Sequence, residues 1–159
     1  MIRHLIICFI LLVISLNSNG QDTISEKNTK NSISIQGATF VYIGGYSINY
    51  ERAILRANHF KMLGCAGIGG WYFITISKNY YGHSMPLYVS FLFGSRNNYF
   101  ETDLGVKYTA FSKRSQKDIS PLYPILNLGY RYQRQDGKGL IFRSFIGSEG
   151  IGIGIGKAF

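Results

Sequence analysis

The chain has 159 residues, with 17 lysines and arginines against 8 acids for a formal net charge of +9. It is rich in glycine (19), tyrosine (12) and phenylalanine (11), and holds only three prolines and two cysteines. This length describes one domain, and beyond the N-terminus there is neither a useful helical period nor an apolar run of the ~20 residues that a spanning helix needs, which excludes helical bundles and helical membrane proteins.

Residues 1–20 read as a cleaved signal peptide. One early charge, Arg3, precedes an apolar run over residues 5–16, and Ser18-Asn19-Gly20 supplies small residues at a cleavage site. Cys8 lies inside the apolar run, away from the small-residue end, which argues against a lipoprotein. Cleavage leaves Cys65 as the sole thiol, so no internal disulfide can staple the exported chain. It also leaves a charge of about +8; for an exported protein the expected counterpart is anionic lipid or lipopolysaccharide phosphate in preference to nucleic acid, with a solvated basic surface lacking a specific partner as the alternative.

Residues 21–32 are polar without apolar period and are expected to form a flexible periplasmic leader. The barrel is expected over residues 33–159. The first strand is expected near residues 33–43, followed by a bend at Gly44-Gly45, which alternatively kinks a longer strand. Tyr46, Ile48 and Tyr50 then alternate with Ser47, Asn49 and Glu51. A tight link near Arg56-Ala57-Asn58 precedes a glycine-rich strand over residues 60–76. A longer loop is expected over residues 77–85. Next, Leu87, Val89, Phe91 and Phe93 alternate with Tyr88, Ser90, Leu92 and Gly94.

Residues 99–111 give the clearest strand. Phe100, Thr102, Leu104, Val106 and Tyr108 face one way, and Glu101, Asp103, Gly105 and Lys107 the other. After a loop over residues 112–120, Leu126, Leu128, Tyr130 and Tyr132 oppose Asn127, Gly129, Arg131 and Gln133. A turn at residues 135–138 leads to Leu140, Phe142 and Ile146 opposing Arg143 and Gly147. The last strand alternates Ile151, Ile153 and Ile155 with Gly152, Gly154 and Gly156, then ends Lys157-Ala158-Phe159. These add up to an all-β fold: eight antiparallel strands, up and down, closing into a barrel with short turns at the terminus end.

Alternation alone does not say which face is inside. The minor face carries Glu51, Glu101, Asp103, Lys107, Arg131 and Arg143 together with many glycines. An eight-stranded lumen is just wide enough to be filled by side chains, and buried charges of both signs can pair there. The apolar face then points at lipid, with Tyr46, Tyr50, Phe100, Tyr108, Tyr130, Tyr132 and Phe159 as interfacial aromatics.

The segments SINYER (residues 47–52), LGYRYQ (128–133), GLIFR (139–143) and the C-terminal GIGIGKAF resemble small outer-membrane β-barrel proteins of Bacteroidota. More loosely, the chain is similar to eight-stranded barrels of the OmpA and OmpX type. The resemblance implies an integral outer-membrane location and insertion by the barrel-assembly machinery, with Ile151, Ile153, Ile155 and Phe159 as the assembly signal. Lys157 departs from that signal's usual apolar pattern.

Catalytic candidates are few. His83-Ser84 is worth weighing because some outer-membrane barrels deacylate lipid A, but a serine adjacent to its base points elsewhere on a strand, and no acid is near in sequence. Cys65 has no second thiol or histidine cluster beside it, so no metal or cofactor is expected. Lys113, Arg114 and Lys117 on the loop after residue 111 are candidate contacts for lipopolysaccharide phosphates. The expectation is therefore a monomeric, non-enzymatic outer-membrane barrel with a packed lumen and a structural or surface-interaction role. A lipid A-modifying barrel enzyme and an exported soluble barrel binding an apolar ligand are the alternatives.

Overall fold

The computed structural model describes residues 31–57, 59–74, 79–111, 122–134 and 139–159. They form eight strands: β1 (Asn31–Phe40), β2 (Ile43–Ala57), β3 (Phe60–Ile74), β4 (Asn79–Ser95), β5 (Asn98–Phe111), β6 (Leu122–Gln133), β7 (Gly139–Gly147) and β8 (Gly150–Ala158). Each pairs antiparallel with its sequence neighbours, and β8 pairs with β1 to close the barrel. Closure removes the unpaired edges an open sheet would present.

The stagger of the barrel follows from the register. Directly opposed residues lead from His83 on β4 through Gly70, Tyr46, Gly37, Ile153, Ser144, Tyr130 and Phe100. The circuit returns to β4 at Phe93, ten residues further on. With eight strands, a shear of this size goes with a strand tilt of roughly 40°.

The structure moves several expected boundaries. β1 begins at Asn31, inside the segment expected to be leader, because Ser32 is held in the lumen by a 2.8 Å hydrogen bond to Glu51. The first turn lies at Val41-Tyr42, and Gly44-Gly45 is neither loop nor kink but part of β2. Val41 takes φ 46°, a left-handed conformation that β-branched residues rarely adopt. The glycines favoured in turns are used instead as bare strand positions. The Tyr72 ring lies over Gly44 directly opposite, and the Tyr46 ring lies over Gly70, so a Cβ at either glycine would meet a tyrosine ring.

The long loop expected over residues 77–85 is largely strand as well. β4 starts at Asn79, with Gly82, Ser84 and Pro86 buried and Tyr81, His83 and Met85 exposed. Pairing of β3 with β4 skips from Ala66–Leu87 to Gly69–Ser84. Pro86 sits in the gap and has no N–H to give the ladder.

Packing inside the barrel is layered. Toward the terminus end, Leu63, Leu92 and Tyr99 pack together as an apolar floor, and Ile141 on β7 is also fully buried. Charged and polar side chains fill the middle. Toward the other end, Lys107 and Glu149 form an ion pair across the lumen. Near it, a gap of about 10 Å³ bordered by Gln36, Ser84, Lys107 and Asn127 has room for about one water.

Candidate functional site

The middle layer is the chemically distinctive part of the molecule. Strand alternation sends Glu51 (β2), Glu101 and Asp103 (β5), Arg131 (β6) and Arg143 (β7) to the same interior, and all five are buried to 1% exposure or less. Arg131 donates from Nη2 to Glu51 at 2.5 Å and from Nη1 to Glu101 at 3.1 Å, while its Nε reaches Gln133 at 3.0 Å. Arg143 meets Asp103 at 2.7 Å, Glu101 at 3.2 Å and Glu51 at 3.3 Å. Five strands are thereby tied through two guanidiniums, counting Tyr88 on β4, whose hydroxyl accepts from Arg143 at 3.3 Å.

Polar neighbours complete the set. Ser32 and Ser34 donate to Glu51, Ser90 donates to Asp103 at 2.6 Å, and the Asn127 amide donates to Asp103 at 3.2 Å. Glu101 Oε2 is buried without a partner among the described residues. Such a cluster is held by mutual pairing: burying each ion in isolation would cost several kcal/mol. It fixes the relative positions of distant strands more than it adds net stability.

Lys107 shares the inward face but stands apart from this cluster, paired with Glu149. The partners Ser32, Ser34, Tyr88, Ser90, Asn127, Gln133 and Glu149 were not singled out from the sequence. All but Glu149, which sits in the β7–β8 turn, fall at inward positions of their strands. Alternation carried the direction of Tyr88, Ser90, Asn127 and Gln133 but not their contacts, while Ser32 lies in the segment expected to be leader and Ser34 in a strand without clear alternation. Lys113, Arg114 and Lys117 lie outside the described residues.

His83 and Ser84, expected in a loop, occupy β4 and point to opposite faces: His83 is exposed outward and Ser84 is 4% exposed in the lumen. They cannot act as an adjacent base and nucleophile. Cys65 is buried in the lumen wall, 3.5 Å from the Ser90 hydroxyl. Among the described residues no cluster of histidine, cysteine and acids could hold a metal ion.

Outside, the polarity is reversed. Ile151, Ile153 and Ile155 are 65%, 63% and 56% exposed, and the outward residues of the other strands are mostly Ile, Leu, Val, Met, Phe and Tyr. Tyr46, Tyr72, Tyr81 and Tyr108 lie toward the end opposite the termini. Tyr50, Phe100, Tyr130 and Tyr132 lie toward the terminus end, together with Phe159. Tyr50 and Tyr130 each reach toward that rim and donate to Asn31 and Asn98 at 2.7 and 2.6 Å.

The fold and interior together define a closed eight-stranded antiparallel β-barrel, apolar outside and filled with paired charges inside. No protein-family model matches the chain, and no curated protein matches it in sequence. Among solved structures it is similar to the outer membrane protein Ail of Yersinia pestis, whose backbone structure was determined in a phospholipid bilayer nanodisc. The two share 13% identity over 83% of this chain and 100% of that one, with a TM-score of 0.48.

Proposed function

We propose that the protein is an integral outer-membrane β-barrel with a side-chain-filled lumen, serving a structural or surface-interaction role without catalysis. One observation carries the reading: charges are sequestered inside while a broad apolar surface faces out. In water that arrangement would expose far more contiguous apolar area than soluble proteins tolerate, whereas a bilayer core favours it. The two aromatic bands and strands of 9 to 17 residues suit a membrane crossing.

On this reading the terminus end faces the periplasm, as in the Bacteroidota barrels that the motifs resemble. The barrel-assembly machinery would read the Ile151/Ile153/Ile155 face and Phe159. Lys113, Arg114 and Lys117 would meet lipopolysaccharide phosphates at the cell surface, and the barrel would act as a monomer. The opposite directions of His83 and Ser84 support the absence of catalysis. Recovery in the outer-membrane fraction with heat-modifiable migration is the expected result, as is negligible conductance in planar bilayers. A soluble periplasmic monomer would overturn the membrane reading. Loss of a lipid A modification on His83→Ala or Ser84→Ala would overturn the non-catalytic one.

A further inference from the structure

We infer that the barrel seam formed by β2, β1 and β8 carries, on its outer face at the terminus end, a site for the phosphate of an anionic glycerophospholipid. The inference rests on the membrane reading above. Arg52 and Lys157 are exposed cations within strands whose other outward residues are largely apolar. The register puts them on either side of β1: Arg52 opposes Asn31, and Lys157 opposes Ile33. They are two strand spacings and two residues of β1 apart, roughly 12 Å, a span that two long side chains can close around one phosphate.

The residue between them is suited to the same task. Asn31 accepts the Tyr50 hydroxyl on Oδ1, which leaves its amide Nδ2 as a donor between the two cations. Toward the middle of the seam, Ile33 and Ile35 on β1 and Ile153 and Ile155 on β8 line an aliphatic strip, and Gly37 adds no side chain. An acyl chain can lie along that strip while its headgroup meets Arg52, Asn31 and Lys157.

Charge selects the headgroup. Among the described acids, Glu51, Glu101 and Asp103 are buried in the lumen, and Glu149 is taken by Lys107. Neither Arg52 nor Lys157 makes an ion pair among the described residues. Exposed cations with no ion-pair partner among the described residues, at the depth where lipid phosphates lie, favour an anionic phosphodiester over a zwitterion. This gives Lys157 a role, although it interrupts an otherwise apolar closing strand.

The test compares the protein with an Arg52→Gln/Lys157→Gln double variant in phosphatidylcholine vesicles containing a minor fraction of phosphatidylglycerol. Bound lipid is read by native mass spectrometry, and insertion by the heat-modifiable gel shift. The wild-type protein should enrich phosphatidylglycerol, and each cation removed should reduce that enrichment by about fivefold. Arg96→Gln, in the β4–β5 turn, removes one charge elsewhere on the same rim and should leave the enrichment unchanged. Insertion of both proteins without a difference in enrichment overturns the site and leaves the membrane reading standing. An equal loss in Arg96→Gln reduces it to general basicity, which also overturns it. A preference for lipid A over phosphatidylglycerol that depends on the same two cations assigns the seam to the other leaflet and overturns the proposal. If neither protein inserts, the membrane reading falls, and the site with it.

Discussion

Replacing Glu51 with glutamine tests whether the buried cluster is a mutual structure or a set of independent pairs. Glu51 accepts from Ser32 at 2.8 Å, Ser34 at 3.3 Å, Arg131 at 2.5 Å and Arg143 at 3.3 Å, so both guanidiniums depend on it. Glutamine keeps the shape but removes the charge and points an N–H₂ at one of those donors. Two charge-assisted hydrogen bonds at about 1.5–3 kcal/mol each give a loss of ~3–6 kcal/mol. Breaking a buried ion pair by removing one partner gives a similar ~3–5 kcal/mol. Glu101→Gln should cost much less. Its Oε2 has no partner among the described residues, its contacts to the two guanidiniums, at 3.1 and 3.2 Å, fall on Oε1 alone, and three carboxylates against two guanidiniums leave one negative charge in excess. Urea unfolding in lipid vesicles, followed by the fluorescence of the single tryptophan Trp71, reads both variants. With an m-value of about 2 kcal/mol per molar, Glu51→Gln should lower the midpoint by roughly 2 M. A Glu101→Gln variant as unstable as Glu51→Gln would refute the unequal sharing that the geometry describes.

Three further outcomes follow from the walls of the barrel. In Gly154→Leu, the added Cβ alone would stand 2.8 Å from Arg143 Cγ and 3.1 Å from Gln36 Cβ; the variant should lose at least ~1–3 kcal/mol by overpacking, seen as reduced folded band on heat-modifiable gels. Ile153→Arg, on the outer face near mid-barrel, should cost about 2–4 kcal/mol in vesicles, and a neutral effect there would contradict a lipid-facing position. Cys65, 2% exposed, should react with a polar maleimide only on denaturation, and rapid labelling of the folded protein would contradict the packed wall around it.

The strands were legible where period-two alternation was strong, as in β5, β6 and β8, because burial on one face leaves a mark at every second residue. Alternation also assigned Glu51, Glu101, Asp103, Arg131 and Arg143 to one interior. It could not distinguish Lys107 from that group, since direction along a strand says nothing about height in the barrel. Its partner Glu149 sits in a turn, where no alternation applies. The start of β4 was illegible for a different reason. Asn79, Gly82, His83, Ser84 and Pro86 have the composition of a loop, yet the glycine, serine and proline fill narrow lumen positions. The Gly44-Gly45 bend was misread because the sequence does not reveal which aromatic lies across a bare strand position. That depends on register, which places Tyr72 opposite Gly44.

β8 shows how such a strand is specified by its neighbours. Its outward isoleucines could be exchanged among apolar residues without changing the contents of the lumen. Its inward glycines have no such freedom: Gly152 faces the Phe145 ring, Gly154 the stem of Arg143, and Gly156 the Ser34 side chain. In a barrel of eight strands the interior is barely wide enough for the side chains that enter it. Large residues such as Arg131, Arg143 and Phe145 therefore require other wall positions to contribute none. The glycine period of β8 is the complement of the bulky inward residues of β7. It leaves room for the Arg143 stem, whose guanidinium reaches Glu51, Glu101 and Asp103 on β2 and β5.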